Sequence, residues 1–206
     1  MRPVLVTAGA TRNPIDAMRF VSANSSGRTS VAVARRLAEL GCNVHLLGSP
    51  EANLRAGGLS CQEFSTTRDL MRRMQAWITD HPRCAVVHAA AVGDYEAAAE
   101  DAGKIASNLD ELVIRLRPTP KIADHIKGWA PESYLVTFKA AAPGTGAEVL
   151  VDTCRAQLLK TRSDLVLGNV LGELCSTTTL VDESGSEAFE DRAAALKALS
   201  ARVASA

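Results

Sequence analysis

A chain of 206 residues, 47% of them apolar, can bury a full core and suits one globular domain. Its 23 basic residues balance 23 acidic ones, so no chain-wide field holds nucleic acid or an anionic membrane surface, and any phosphate site must be local. The five cysteines, Cys42, Cys61, Cys84, Cys154 and Cys175, are odd in number and scattered without a C-x-x-C pair, which points to reduced, mostly buried thiols rather than a zinc site. Met1-Arg2-Pro3 leads into a strand without a signal-peptide core, and no apolar run approaches about 18 residues, so the expectation is a cytosolic protein.

Val4-Leu5-Val6-Thr7 reads as a buried first strand, ending at Ala8-Gly9 in a long loop over residues 9 to 26. Val31, Val33, Ala34, Leu37 and Leu40 recur at helical spacing, with Gly41 where the helix must stop. Asn43 to Leu47 is a second strand, and β, loop, α, β is the pattern of a parallel sheet with a crossover helix. Leu70, Met71, Met74, Trp77 and Ile78 mark an amphipathic helix that Thr66 or Thr67 caps and His81-Pro82 closes.

Ala85 to Ala89 is the next buried strand, and it runs into Ala90-Ala91-Val92-Gly93-Asp94-Tyr95, small residues followed by a carboxylate where parallel sheets place ligand sites. Leu112 to Leu116 alternates like a strand, Pro120 suits a helix start, Leu135 to Phe138 is a further strand, residues 147 to 160 look helical, and Asp164 to Leu167 is strand again. Thr177 to Asp182, a turn at Glu183-Ser184-Gly185 and Ala188-Phe189 predict a terminal hairpin, followed by a helix that Asp191 caps. The expected class is α/β: a Rossmann-like three-layer fold with a mainly parallel sheet and a C-terminal hairpin and helix appendage.

Ser25-Ser26-Gly27 before the first helix sets backbone N–H groups at a helix N-terminus, a ready anion site, although Asn-Ser-Ser-Gly is also ordinary turn chemistry. Its context is more specific. The stretch Thr7 to Phe20, then Ala89 to Tyr95, Gly103-Lys104-Ile105, Leu116 to Pro120, Val136 to Lys139 and Asp164 to Asn169 resemble, in order, the blocks of the phosphopantothenate-cysteine ligase family. The resemblance implies a two-step reaction, in which the carboxylate of 4'-phosphopantothenate attacks the α-phosphate of CTP or ATP and cysteine then displaces the nucleotide. It assigns Asn24, Lys104 and Arg19 to catalysis, and Gly9, Ser25, Ser26, Gly27, Ala90, Ala91, Asp94, Lys104, Pro120, Phe138 and Lys160 to the nucleotide. Asn169 goes to the substrate. It further implies a homodimer. Mg²⁺ is expected as the triphosphate's partner because that charge needs a hard cation, with ligands not readable, and with Met1 directly before the first strand the expectation is a single ligase-type domain over residues 1 to 206 without flavin or decarboxylase.

The chain departs from the family pattern at several points. Ala23 holds the place of the family's asparagine, with Asn24 shifted by one residue. Ala106 follows Lys104-Ile105 where a second lysine is usual, Lys121 replaces an acid after Pro120, and the strand end reads Phe138-Lys139-Ala140-Ala141-Ala142. Lys121 and Lys139 are candidates for compensating charge. Two other classes compete: a diverged nucleotide-binding paralogue, and an NAD(P)-dependent oxidoreductase. Against the oxidoreductase, Gly9 and Gly27 do not make G-x-G-x-x-G, and the second strand runs into Gly48-Ser49-Pro50 without an acid.

Overall fold

The computed structural model describes residues 2–100, 103–172 and 178–206. β1 (Val4–Ala8) is followed by a short ribbon of β2 (Arg12–Pro14) and β3 (Phe20–Ser22), then α1 (Arg28–Glu39), β4 (Val44–Gly48), α2 (Pro50–Asn53), β5 (Ser60–Glu63), α3 (Thr67–Asp80) and β6 (Ala85–His88). A second ribbon of β7 (Tyr95–Ala97) and β8 (Leu116–Pro118) precedes α4 (Ala123–Trp129), β9 (Tyr134–Ala141), α5 (Ala147–Thr161), β10 (Leu165–Val170), β11 (Thr178–Asp182), β12 (Gly185–Phe189) and α6 (Arg192–Ser205).

The main sheet runs β12-β11-β10-β9-β6-β1-β4-β5. From β5 through β10 every pairing is parallel, while β11 and β12 pair antiparallel. Counting the parallel strands in chain order gives 3-2-1-4-5-6, the doubly wound order whose direction reverses between β1 and β6, and a crevice opens at the carboxyl ends of strands where the order reverses. The C-terminal hairpin thus continues the main sheet, and α6 packs back over it.

Strand alternation sets the layers. Val4, Val6 and Ala8 of β1 pack with Val31, Ala34 and Leu37 of α1 and Leu199 and Val203 of α6. Leu5 faces the opposite layer with Leu70, Met74 and Ile78 of α3 and Ile126 of α4. On that same side α5 brings Leu150 and Cys154 against Val166 and Val181. Because side chains alternate with period two, a one-residue slip would turn each apolar set to the wrong layer, which fixes the register. Helix ends follow the sequence: Gly41 takes φ 85° just past α1, Thr66 accepts from Asp69 N–H at 3.1 Å, and Asp191 accepts from Ala193 and Ala194.

Several expectations are corrected. The loop over residues 9 to 26 contains the β2–β3 ribbon, paired from Arg12↔Ser22 to Pro14↔Phe20. Leu112 to Arg115 is not a strand; only Leu116 joins β8, and Leu112 and Val113 are exposed with no strand beside them to take their backbone groups. Pro120 lies three residues before α4 rather than opening it. β5 escapes sequence reading because its four residues are all exposed and carry no apolar alternation. Cys42, Cys84 and Cys154 are buried free thiols and Cys61 is an exposed one, while Cys175 and Thr177 lie outside the described residues.

At the first crossover Gly27 takes φ 72°, and a Cβ there would stand 2.7 Å from Ala52 Cβ and 2.8 Å from the backbone nitrogen of Gly9. Gly27→Ala should therefore lower the unfolding free energy by about 2 kcal/mol or more in urea titrations, through left-handed backbone strain and overpacking together. An unchanged midpoint would show that β1 and α1 are not held together at this contact.

Candidate functional site

The site begins with one hydroxyl. Thr7, at the end of β1, accepts from the N–H groups of Ala89 at 3.1 Å and Ala90 at 3.0 Å, and its oxygen lies 3.0 Å from His88 Nδ1. The strand ends on either side of the reversal point are thus clasped by a side chain.

Further along, Ala91 N–H donates to Gly9 C=O at 2.8 Å and Gly93 N–H to the Thr11 hydroxyl at 2.8 Å. Thr67 donates to that same hydroxyl, Asn13 donates to Tyr95 C=O while accepting from Thr67 N–H, and Thr119 donates to Gly93 C=O at 2.6 Å. These are buried partners with little freedom, so the 89–95 turn is a rigid shelf. Its polar groups mostly serve the shelf itself: the N–H groups of Ala89, Ala90, Ala91 and Gly93 are all taken within the protein.

A cleft of about 480 Å³ opens beside the shelf, between it, α4, the end of β9 and α5. Ala90, Asp94, Phe138 and Lys160 border it, together with His88, Lys121, Thr137, Lys139 and Gln157. Asp94 pairs with Lys121, and Lys160 with Asp124 at 2.9 Å, all on solvent-facing side chains where such pairs contribute little to stability. Lys139 has no ion-pair partner among the described residues. Deeper in, the groups are uncharged. Gln157 Nε2 donates to Thr137 Oγ1 at 2.9 Å and to Phe138 C=O at 3.1 Å, and the Thr137 hydroxyl meets Ser163.

The other sequence-predicted residues lie elsewhere. Gly9 and Gly27 pack against each other at the start of α1, where Ser30 Oγ reaches Ala89 C=O at 3.4 Å. No side chain caps α1, and no acceptor among the described residues takes the N–H of Arg28, Thr29 or Ser30, which leaves a positive helix end beside the shelf. Ser25, Ser26 and the exposed Asn24 lead directly into it. Ala91 bridges Ala10 under the shelf, and Pro120 precedes Lys121 at its edge.

Arg19 is drawn into a separate cluster. Its guanidinium pairs with the fully buried Asp16 carboxylate, which also accepts from the N–H groups of Met18, Arg19 and Ile105. Burial pushes the Asp16 carboxyl up, but the N–H groups of Met18, Ile105 and Arg19 and the Arg19 charge outweigh it and bring it to about 2. Ala17 N–H donates to Gly103 C=O at 2.9 Å, so the segment bearing the exposed Lys104 is fastened to the Arg19 turn rather than to the cleft. Asn169, in β10, donates its side-chain amide to Val170 C=O at 3.4 Å and is not among the residues that border the cleft. Among the described residues no three His, Cys, Asp or Glu side chains gather as a metal cage.

Sequence reasoning passed over His88, Thr137 and Gln157. The available signal was a polar residue closing an otherwise apolar strand, Val86-Val87-His88 and Leu135-Val136-Thr137. Burial alone lowers the His88 imidazole to about 4 from 6.5. The unfolded chain therefore binds the extra proton first, so this histidine's contribution is complete above pH 6.5 and is lost as pH falls toward about 4. Urea titrations should show a decline on the order of 3 kcal/mol across that window. His88→Phe should flatten the decline without abolishing it, since burial also lowers His45.

Comparison with known proteins agrees with this architecture. Residues 1–192 match the family described as the DNA/pantothenate metabolism flavoprotein C-terminal domain. A coenzyme A biosynthesis bifunctional protein, CoaBC, of Thermococcus kodakarensis is 36% identical over 168 residues, covering 82% of this chain and 41% of that protein. The Mycobacterium tuberculosis CoaBC is 31% identical over 181 residues, covering 84% and 42%. The chain thus spans about two fifths of the length of these curated relatives. Among solved structures, a DNA/pantothenate metabolism flavoprotein of Streptococcus pneumoniae shares the fold with a TM-score of 0.84 at 24% identity over 98% of both chains. A Cab2 variant in complex with phosphopantothenate-cysteine does so with 0.78 at 18% identity, over 99% of this chain and 88% of that one. The chain therefore belongs to the DNA/pantothenate metabolism flavoprotein C-terminal domain family, the phosphopantothenate-cysteine ligase family that its sequence blocks resemble.

Proposed function

We propose that the protein joins 4'-phosphopantothenate to cysteine at the expense of CTP or ATP. In the first step the substrate carboxylate attacks the α-phosphate, forming an acyl-nucleotidylate and releasing pyrophosphate. In the second the cysteine amine attacks the acyl carbon, forming the amide and releasing the nucleoside monophosphate. The observation that carries this reading is the cleft at the carboxyl ends of β6 and β9, next to the strand-order reversal, with neutral hydrogen-bonding groups inside and lysines around them, in a chain of this family.

The reaction needs positioning and charge stabilisation rather than a covalent nucleophile. Phe138 is assigned to the base, with its backbone at the cleft edge and its ring packed on the α1 side of the sheet, and Lys139, Lys121 and Lys160 offer cations to phosphate. The first-turn N–H groups of α1, reached through Ser25, Ser26 and Gly27, form a second anion-binding feature across the shelf. Asn24 is assigned to the acyl-nucleotidylate, Lys104 and Arg19 to developing charge, and Asn169 to the substrate. The protein supplies no ready cage for magnesium among its described residues, so the ion is proposed to arrive on the triphosphate, held by phosphate oxygens and water.

A homodimer belongs to the same reading. Exposed Met18, Phe20, Leu112, Val113 and Leu116 put apolar surface on and beside the two ribbons. Val113→Asp should then shift the protein toward monomer in sedimentation velocity.

Purified protein with 4'-phosphopantothenate, cysteine and Mg²⁺ should release pyrophosphate with one of CTP and ATP and form the amide. Lys139→Ala should raise the nucleotide KM about tenfold, as expected for a lost cation at a phosphate. Pyrophosphate without amide would locate a defect at the displaced Asn24. No pyrophosphate with either nucleotide would favour a diverged paralogue that binds without this chemistry.

A further inference from the structure

The hydrogen bonds at Thr7 fix more than the shelf. A threonine hydroxyl has one proton and two lone pairs. The N–H groups of Ala89 and Ala90 occupy both lone pairs, so the single proton must go to His88 Nδ1, 3.0 Å away. Nδ1 is then an acceptor, and a neutral imidazole with its Nδ1 accepting carries its proton on Nε2. His88 is 8% exposed and borders the cleft, and its Nε2 has no hydrogen-bond partner among the described residues.

The surroundings narrow what this N–H can serve. The N–H groups of Ala89, Ala90, Ala91 and Gly93 are taken, and both amide protons of Gln157 go to Thr137 and Phe138. Thr153 donates to Val149 C=O and Thr161 to Gln157 C=O. His88 is thus an uncharged side-chain donor among neutral side chains whose own donors are committed. Phosphate oxygens are better matched by Lys121, Lys139 and Lys160, which carry charge. An uncharged, nearly buried donor in a cleft whose interior is otherwise neutral matches the uncharged, planar part of a nucleotide.

We propose that His88 is a nucleobase-binding residue, whose Nε2–H, set as the donor by the positioning residue Thr7, bonds an acceptor nitrogen or oxygen of the base. This rests on the reading of the cleft as a nucleotide site. Neither the matched blocks nor their departures assigned a role to His88.

The test is titration calorimetry of wild type and His88→Phe with CTP, ATP and inorganic tripolyphosphate. His88→Phe should weaken the preferred nucleotide about tenfold, the cost of one lost hydrogen bond at a desolvated site, and leave tripolyphosphate within about twofold. His88→Gln, which retains an amide donor, should recover part of the loss. Equal weakening of nucleotide and tripolyphosphate, or no weakening, overturns the proposal while leaving the nucleotide reading intact. Failure of the wild type to bind either nucleotide overturns both. Long-range proton–nitrogen spectra of the wild type decide the tautomer without any variant. They should show Nδ1 unprotonated at neutral pH and His88 Nε2 shifting on addition of nucleotide but not of tripolyphosphate, and a protonated Nδ1 would overturn the proposal.

Discussion

A single buried hydroxyl, that of Thr7, sets the geometry on which the cleft depends. It stands where strand order reverses, joins the ends of β1 and β6, and satisfies two part-buried backbone N–H groups that have no other partner among the described residues. Valine would match its shape and β-branching but leave both groups stranded. Thr11 repeats the device four residues on, holding Gly93 and Thr67. The shelf is therefore held mainly by short side chains of the first strand and the loop after it, with Thr67 at the start of α3 bracing them.

Two environments follow from this construction. On one side the start of α1 presents unpaired N–H groups; on the other the cleft presents lysines around a neutral interior. The Arg19 and Lys104 segment belongs to neither. Its arginine is engaged by the buried Asp16, and the same carboxylate anchors Ile105. The chemistry expected of Arg19 must therefore compete with a structural contact, whereas Asp94, Lys121 and Lys160 hold their partners in solvent, where exchange costs little.

What the sequence made legible was whatever repeats. Parallel strands read as apolar runs, α1 and α3 as stripes with stops and caps, and the C-terminal hairpin by its turn at Glu183-Ser184-Gly185. Short elements with polar residues, β2, β3 and β5, gave no period to detect, and the alternation of Leu112 to Leu116 misled because a strand also needs a neighbour. The cleft was partly legible: Ala90, Asp94, Phe138 and Lys160, far apart in sequence, do meet there. His88 and Gln157 stayed hidden because their significance lies in which of their hydrogen bonds are already made, with a partner 81 residues away in the case of Thr7 and His88. No local pattern encodes such a pairing.

The two outer strands of the main sheet also shape how copies of this protein can meet. β5 is four residues long, exposed throughout and ends in Glu63. β12 is mostly exposed, opens on Gly185 and carries Glu187, which pairs with Arg202 of α6. Neither edge offers the long, flat, apolar backbone that recruits further strands. Growth by strand addition, the route into fibrillar aggregates, is thereby disfavoured at both ends of the sheet.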